Sequence, residues 1–307
     1  MKILLVETSV INKNADVTVH IRNSFVLEQY LKKNHDCRLV SQEEDITDIE
    51  EQFNYIIFIS ATFYFKHERF SQLIHNQKNC KLGWITNEYE LFMQDFLKQH
   101  SVDFIIANFE EWGLKKAHKH DKFLMTNLNA LMAKPRNECI QKEYDIVYYG
   151  TYRKYRDSYF KKYLIDDMVL STSGKNVKKF QLLNCDCWLM DKMSWKAGEE
   201  TLNSFKASLY IEDTKTHKLF NYMANRFFEA LFCNCALFFD KSCTSTISKD
   251  AYKIPDYFIV DSYADLMGKI EYLNMEIVDD FISVNTDIAL KEKAKTLRQV
   301  EDFLVQY

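Results

Sequence analysis

Residues 219–240 read LFNYMANRFFEALFCNCALFFD. Apolar side chains recur at helical spacing from Leu219 to Phe232, and after a three-residue gap comes the strand candidate Ala236–Asp240, apolar from Ala236 to Phe239. A helix that runs straight into a fully apolar strand is half of a βαβ unit, the repeating element of buried parallel sheets. The stop between them has its own signal. Asn234 sits in the gap, and asparagine is among the few non-glycine residues tolerated at positive φ. At its other end such a helix presents unpaired backbone N–H groups and a positive dipole end, which suits an anion.

Working outward, the same alternation spreads over the rest of the chain. Tyr144–Tyr149, Met168–Ser171, Lys179–Leu183, Ala207–Ile211 and Tyr257–Val260 are strand candidates. Arg153–Leu164 and Ser262–Leu273 read as helices, the latter with Ser262 as N-cap, and Thr286–Gln306 as a long terminal helix. Before residue 121 the pattern is similar. Lys2–Val6, Arg38–Val40, Tyr55–Ser60, Lys81–Thr86 and Asp103–Ala107 read as strands; His20–Lys33, Glu68–Asn76 and Glu88–His100 read as helices. Residues from Asp121 to Lys142 break the alternation, hold Pro135, and read as an interdomain connection. The expectation is an α/β protein of two Rossmann-like parallel-sheet domains, 1–140 and 141–290, with 291–307 a helix returning to the first domain.

Composition limits the function classes. With 307 residues, 47% hydrophobic and 15% aromatic, the chain can bury two cores and is not disordered. A net charge of -4 gives no global nucleic-acid signal, although Lys115–Lys122, Lys154–Lys162 and Lys175–Lys179 are local basic clusters. No apolar run is long enough to span a bilayer and the N-terminus lacks a signal-peptide pattern, so the cytoplasm is the expected compartment. Cys185/Cys187 and Cys233/Cys235 form two C-x-C pairs without zinc spacing, and they read as small apolar residues on strands. No metal is expected.

The segment Asn225–Asp240 resembles the donor-binding helix and following strand of GT-B glycosyltransferases, whose pattern is roughly R-x-x-E-A-x-A-x-G before an apolar strand. Arg226, Glu229 and Ala230 match, Asn234 takes the glycine position, and Asn221 stands where retaining members carry a second glutamate. The resemblance implies that Asn225, Arg226 and Glu229 bind a nucleotide-sugar, with Glu229 accepting the ribose hydroxyls. Residues 144–156, YDIVYYGTYRKYR, are similar to the opening strand and turn of the GT-B donor domain. That similarity assigns Gly150 and Arg153 or Arg156 to the donor phosphates. Arginine suits this role because it binds phosphate in a bidentate way and can offset charge on a leaving diphosphate without a metal. Lys215 and Thr216, in the loop after Ala207–Ile211, are further donor candidates.

An inverting transferase also needs a base near the acceptor hydroxyl. His20 and Glu88 are the catalytic candidates, with Glu7 and Asp16 beside other strand ends. The resemblance implies no cofactor beyond a nucleotide-sugar co-substrate, expected to be a UDP-sugar, and no protein partner. The resemblance extends to phage glycosyltransferases that modify hydroxymethylated bases and so implies hydroxymethylated phage DNA as acceptor, in a bacterial host cytoplasm; the compact size, the basic clusters and a surplus of Lys, Asn, Ile, Phe and Tyr, as in low-GC genomes, agree with it. A surface or lipid-linked glycan at a membrane, or a non-catalytic nucleotide-sugar binder, are the alternatives.

Overall fold

The computed structural model describes residues 1–7, 19–41, 49–59, 68–86, 102–108, 123–193, 198–212, 222–247 and 251–307. The chain divides into two compact units, Met1–Met132 with Glu292–Tyr307, and Ala133–Lys291. Each is a parallel sheet with helices.

In the first unit the strands are β1 (Lys2–Glu7), β2 (Asp36–Ser41), β3 (Tyr55–Ile59), β4 (Lys81–Thr86), β5 (Phe104–Ala107) and β6 (Phe123–Met125). They lie in the order β2-β1-β3-β4-β5-β6, all parallel. Helices α1 (Val19–Leu31) and α2 (Glu68–His75) belong here. β1 and β3 are buried almost throughout, as strands covered on both faces must be. The chain's last residues complete this core. Leu297, Val300 and Leu304 pack with Ile3, Leu27 and Ile57, the Tyr55 hydroxyl donates to the Leu304 carbonyl (2.9 Å), and the Tyr307 hydroxyl donates to that of Asp103 (2.7 Å).

The expected connection at Asp121–Lys142 is corrected in its first part. Phe123–Met125 pairs with β5 as a sixth strand, and Leu128–Met132 forms a buried 3₁₀ turn. Three residues are too few to show a strand period in sequence.

The second unit contains β7 (Tyr144–Tyr149), β8 (Asp166–Thr172), β9 (Cys187–Asp191), β10 (Phe205–Tyr210), β11 (Ala236–Asp240) and β12 (Ile259–Val260). Its helices are α3 (Asp157–Tyr163), α4 (Gly174–Gln181), α5 (Gly198–Asn203), α6 (Asn225–Phe232), α7 (Thr244–Ile247), α8 (Tyr263–Glu271) and the first part of α9 (Met275–Gln306). The order β12-β11-β10-β7-β8-β9 winds outward in both directions from β7 and β10. The carboxyl ends of these two strands form the topological switch point, where open α/β sheets bind ligands.

Three sequence expectations fail in this unit. Lys179–Leu183 is not a strand: residues to Gln181 end α4, which buries Asn176 and Phe180 one turn apart, and the strand follows at Cys187. The helix before β11 starts at Asn225, not Leu219, since Ala224 is extended at φ -70° and ψ 162° and its N–H donates to the Tyr210 hydroxyl at 2.8 Å. Neither C-x-C pair shares one strand face. Cys187 opens β9 but Cys185 precedes it, and both are only half-buried, while Cys233 and Cys235 are buried as small apolar residues should be, on either side of the turn between α6 and β11. Ser262 caps α8 as expected, accepting from the Asp265 N–H (3.2 Å). Among the described residues, no helix is long and apolar enough to cross a membrane.

Candidate functional site at the switch point of the second unit

Gly150 follows β7 directly and adopts φ +153°, a conformation that side-chain-bearing residues avoid. Its N–H donates to the Ser171 carbonyl (3.1 Å) and its carbonyl accepts from the Thr172 hydroxyl (2.8 Å), so the turn is held from both sides. A methyl group at this position would lie 3.3 Å from Arg226 Nη2. The glycine therefore provides both the turn and the room for the guanidinium.

Arg226 comes from the first turn of α6, whose apolar residues Phe227, Phe228, Ala230 and Leu231 are buried. The helix closes at Asn234, which has φ 50°, and the Cys235 N–H returns to the Ala230 carbonyl (3.0 Å). The Asn234 side chain reinforces this stop: it accepts from Arg136 Nε (2.8 Å) and donates to the Asn137 carbonyl (2.7 Å).

Arg156 ends the 3₁₀ turn Lys154–Arg156 after Gly150, and its side chain reaches across to the end of β10. There Glu212 takes both arginines. Its Oε2 accepts from Arg156 Nη2 at 2.5 Å and its Oε1 lies 3.4 Å from Arg226 Nε. All three side chains are largely buried, with exposures of 10% (Arg156), 13% (Arg226) and 8% (Glu212). Burial opposes the charge on Arg226, but the Tyr148 and Glu212 oxygens outweigh it and hold the guanidinium protonated beyond the ordinary arginine range. The Arg226 guanidinium also lies 5.1 Å from the Tyr148 ring centre and 5.8 Å from that of Tyr149. Two guanidiniums thus share one carboxylate and carry one positive charge beyond it. Among the described residues, Arg156 Nε and Arg226 Nη1 are buried with no hydrogen-bond partner. Buried donors of this kind are costly unless something polar meets them.

Glu229 stands one turn after Arg226, buried, with Oε2 3.1 Å from the Tyr149 hydroxyl. Burial and then the neighbouring Glu229 raise the Tyr149 phenol well above its usual range, so tyrosine is the donor in this bond. Asn225 opens the helix, and its Oδ1 is buried without a hydrogen-bond partner among the described residues.

The switch point therefore brings together Gly150, Arg156, Arg226 and Glu229, with Asn225 at the start of the same helix. Arg153 is exposed and caps the 3₁₀ turn, where its carbonyl accepts from the Arg156 N–H (2.9 Å). Lys215, Thr216, Asn221, Asp16, Glu88 and the cluster Lys115–Lys122 lie outside the described residues. His20 falls in α1, with its side chain outside the description. Glu7 ends β1 at the switch point of the first sheet, fully buried, and takes a hydrogen bond from the Ser24 hydroxyl. Sequence reasoning missed Glu212 and the role of Tyr149. Glu212 had a signal, being the first charged residue after an apolar strand, but its importance depends on β10 lying beside β7.

No protein-family model matches the chain, and no curated protein matches it. Among solved structures, it is similar to the DNA modifying enzyme beta-glucosyltransferase, with a TM-score of 0.72 and 16% identity over 99% of this chain and 98% of that one. It is also similar to T4 phage BGT in complex with UDP and Mn2+, at TM-score 0.69 and 15% identity over 99% of both chains. A third likeness is to an alpha-glucosyltransferase in complex with UDP and a 13-mer DNA containing a HMU base, at TM-score 0.65 and 10% identity over 99% of both. The fold is therefore that of the GT-B glucosyltransferases over the full length.

Proposed function

We propose that this chain, which has the GT-B fold, is a glycosyltransferase that moves a sugar from a UDP-sugar to a hydroxyl group on a hydroxymethylated base of DNA. The observation that carries the donor half is the pair Arg156 and Arg226 at the β7/β10 switch point, buried around one carboxylate and opened toward the backbone by Gly150. Such a pair fits a diphosphate, because guanidinium N–H groups match phosphate oxygens in charge and geometry. Glu229 sits one helical turn away, a spacing suited to the ribose hydroxyls, and the α6 N-terminus adds backbone donors. As the acceptor oxygen bonds to the anomeric carbon, the bond from that carbon to the diphosphate oxygen breaks. Arg156 and Arg226 then face the growing negative charge on the leaving group. They supply charge that a divalent cation would otherwise provide, so the reaction is proposed to need no resident metal. His20 and Glu88 are kept as the proposed bases for the acceptor hydroxyl, and Asn225, Arg153, Lys215 and Thr216 as further donor contacts.

The acceptor half rests on the neighbours, one of which is named as DNA-modifying and another of which was solved with DNA. The test is transfer of labelled sugar from UDP-, GDP-, dTDP- and CMP-donors to duplexes with and without hydroxymethylated bases, with EDTA or Mn2+ added. Transfer from the UDP donor to the modified duplex, surviving EDTA, is the expected result. His20→Ala or Glu88→Ala should then lower kcat while sparing UDP affinity. Transfer to none of the duplexes, with donor binding intact, would redirect the acceptor search to glycans.

A further inference from the structure

Transfer chemistry asks for positive charge beside a diphosphate, yet the two arginines of the site close on a glutamate. Glu212 is buried, so water screens its charge poorly, and it contacts both guanidiniums through separate oxygens. A phosphate approaching the remaining N–H groups of Arg156 and Arg226 meets this fixed negative charge at close range. The carboxylate is not the sole support of either arginine. Arg226 lies against the Tyr148 and Tyr149 rings, and Arg156 lies 5.8 Å from the ring centre of Tyr155. Glu212→Gln thus removes like-charge repulsion while keeping one acceptor oxygen for the guanidinium N–H groups, so the ordering role of the side chain is largely retained as the charge is lost.

We infer that Glu212 is a positioning residue that orders Arg156 and Arg226 and, as a built-in anion, weakens their grip on the nucleoside diphosphate so that the product leaves. The inference rests on the donor site proposed above. It separates two properties that a bare pair of arginines would join: strong stabilisation of the leaving group and slow release of it. Glu212 keeps the guanidiniums in place and lowers the affinity they would otherwise have.

The test is calorimetric titration of the full chain with UDP and with uridine, for the parent, Glu212→Gln and Glu212→Asp. The Gln variant is expected to bind UDP about tenfold more tightly, as the loss of one poorly screened like charge implies. Uridine affinity should not change, since uridine carries no phosphate. Inhibition by UDP during turnover should strengthen by the same factor. The Asp variant keeps the charge and should bind UDP no more tightly than the parent. A purely structural Glu212 gives the opposite sign, because disordered arginines bind UDP less well; equal or weaker UDP binding by Glu212→Gln overturns the inference. If that variant melts too early for calorimetry, the rise in its melting temperature with saturating UDP is compared with the parent's. A larger rise supports the inference and an equal or smaller one overturns it. Failure of the parent itself to bind UDP would overturn the donor-site reading, and this inference with it, whereas parent binding with an unchanged variant overturns the inference alone.

Discussion

A single methyl group at Gly150 tests the geometry of the switch point. Gly150→Ala forces a side-chain-bearing residue to φ +153°, which costs about 1–3 kcal/mol where the backbone cannot relax. Relaxation is blocked here, because the residue's N–H and carbonyl are both engaged, by Ser171 and Thr172. Rotating out of the strained conformation would sacrifice these bonds, each worth roughly 1 kcal/mol. A loss near 2 kcal/mol lowers the melting temperature of a unit of this size by about 4–8 °C. The new carbon also comes within 3.3 Å of Arg226 Nη2, so the guanidinium must give way. If the displaced guanidinium loses the phosphate contact proposed for it, a charge-assisted hydrogen bond of about 1.5–3 kcal/mol is lost and UDP binding should weaken roughly tenfold or more. Gly268→Ala is the control: it lies in α8 with nothing within 4 Å of the added carbon, and it should be neutral or slightly stabilising. Melting curves and UDP titrations of both variants decide the matter. If Gly150→Ala melts and binds like Gly268→Ala, neither the backbone argument nor the placement of Arg226 stands.

Two further outcomes are expected. Glu229→Gln keeps an acceptor for the Tyr149 hydroxyl but replaces one carboxylate oxygen with a donor; UDP affinity should fall roughly 10–100-fold, the equivalent of about 1.5–3 kcal/mol, and parent-like binding would place the ribose elsewhere. Asp240 tests the acid limb of stability. Burial works against its charge, but bonds from Lys162, Ser242 and Tyr163 outweigh this and hold its carboxyl below the ordinary value of 3.8. Its folded pKa lies below its unfolded one, so its contribution is fully present above the unfolded value and is lost as pH falls through the folded value. Asp240→Asn should therefore destabilise by about 2–3 kcal/mol at neutral pH, with the gap to the parent narrowing below about pH 4, as melts across pH would show. A gap that is constant with pH would remove the electrostatic account.

The parts of the fold that the sequence made legible are those whose signal is local. Strands β3 and β5, and the inner stretches Ile146–Tyr149 of β7 and Ala236–Phe239 of β11, are apolar runs buried on both faces, and such runs declare a parallel sheet without any long-range knowledge. Strand β6 was not legible because three residues carry no period, and it exists through its pairing with β5. The start of α6 was misread for a related reason. Apolar spacing continues back to Leu219, but the Tyr210 hydroxyl takes the Ala224 N–H, and that bond comes from another strand.

The site follows the same division. Arg226 and Glu229 lie three residues apart on one helix, so a local pattern finds them. The Arg156–Glu212 pair spans 56 residues and the Tyr149–Glu229 pair 80, and each exists because β7 and β10 are neighbours where the strand order reverses. Asn234 shows how the two levels join. A helix stop at positive φ asks only for glycine, and by that rule asparagine is a tolerated second choice. Its side chain, however, binds Arg136 and Asn137, residues nearly a hundred positions earlier that lead into the same sheet. Asparagine here is a gain rather than a concession: it fixes the end of α6 to the rest of the unit and leaves the other end, with Arg226, rigidly placed. A local motif can therefore name the candidate site residues, whereas what holds them at their observed distances is written in pairs that only the sheet order brings together.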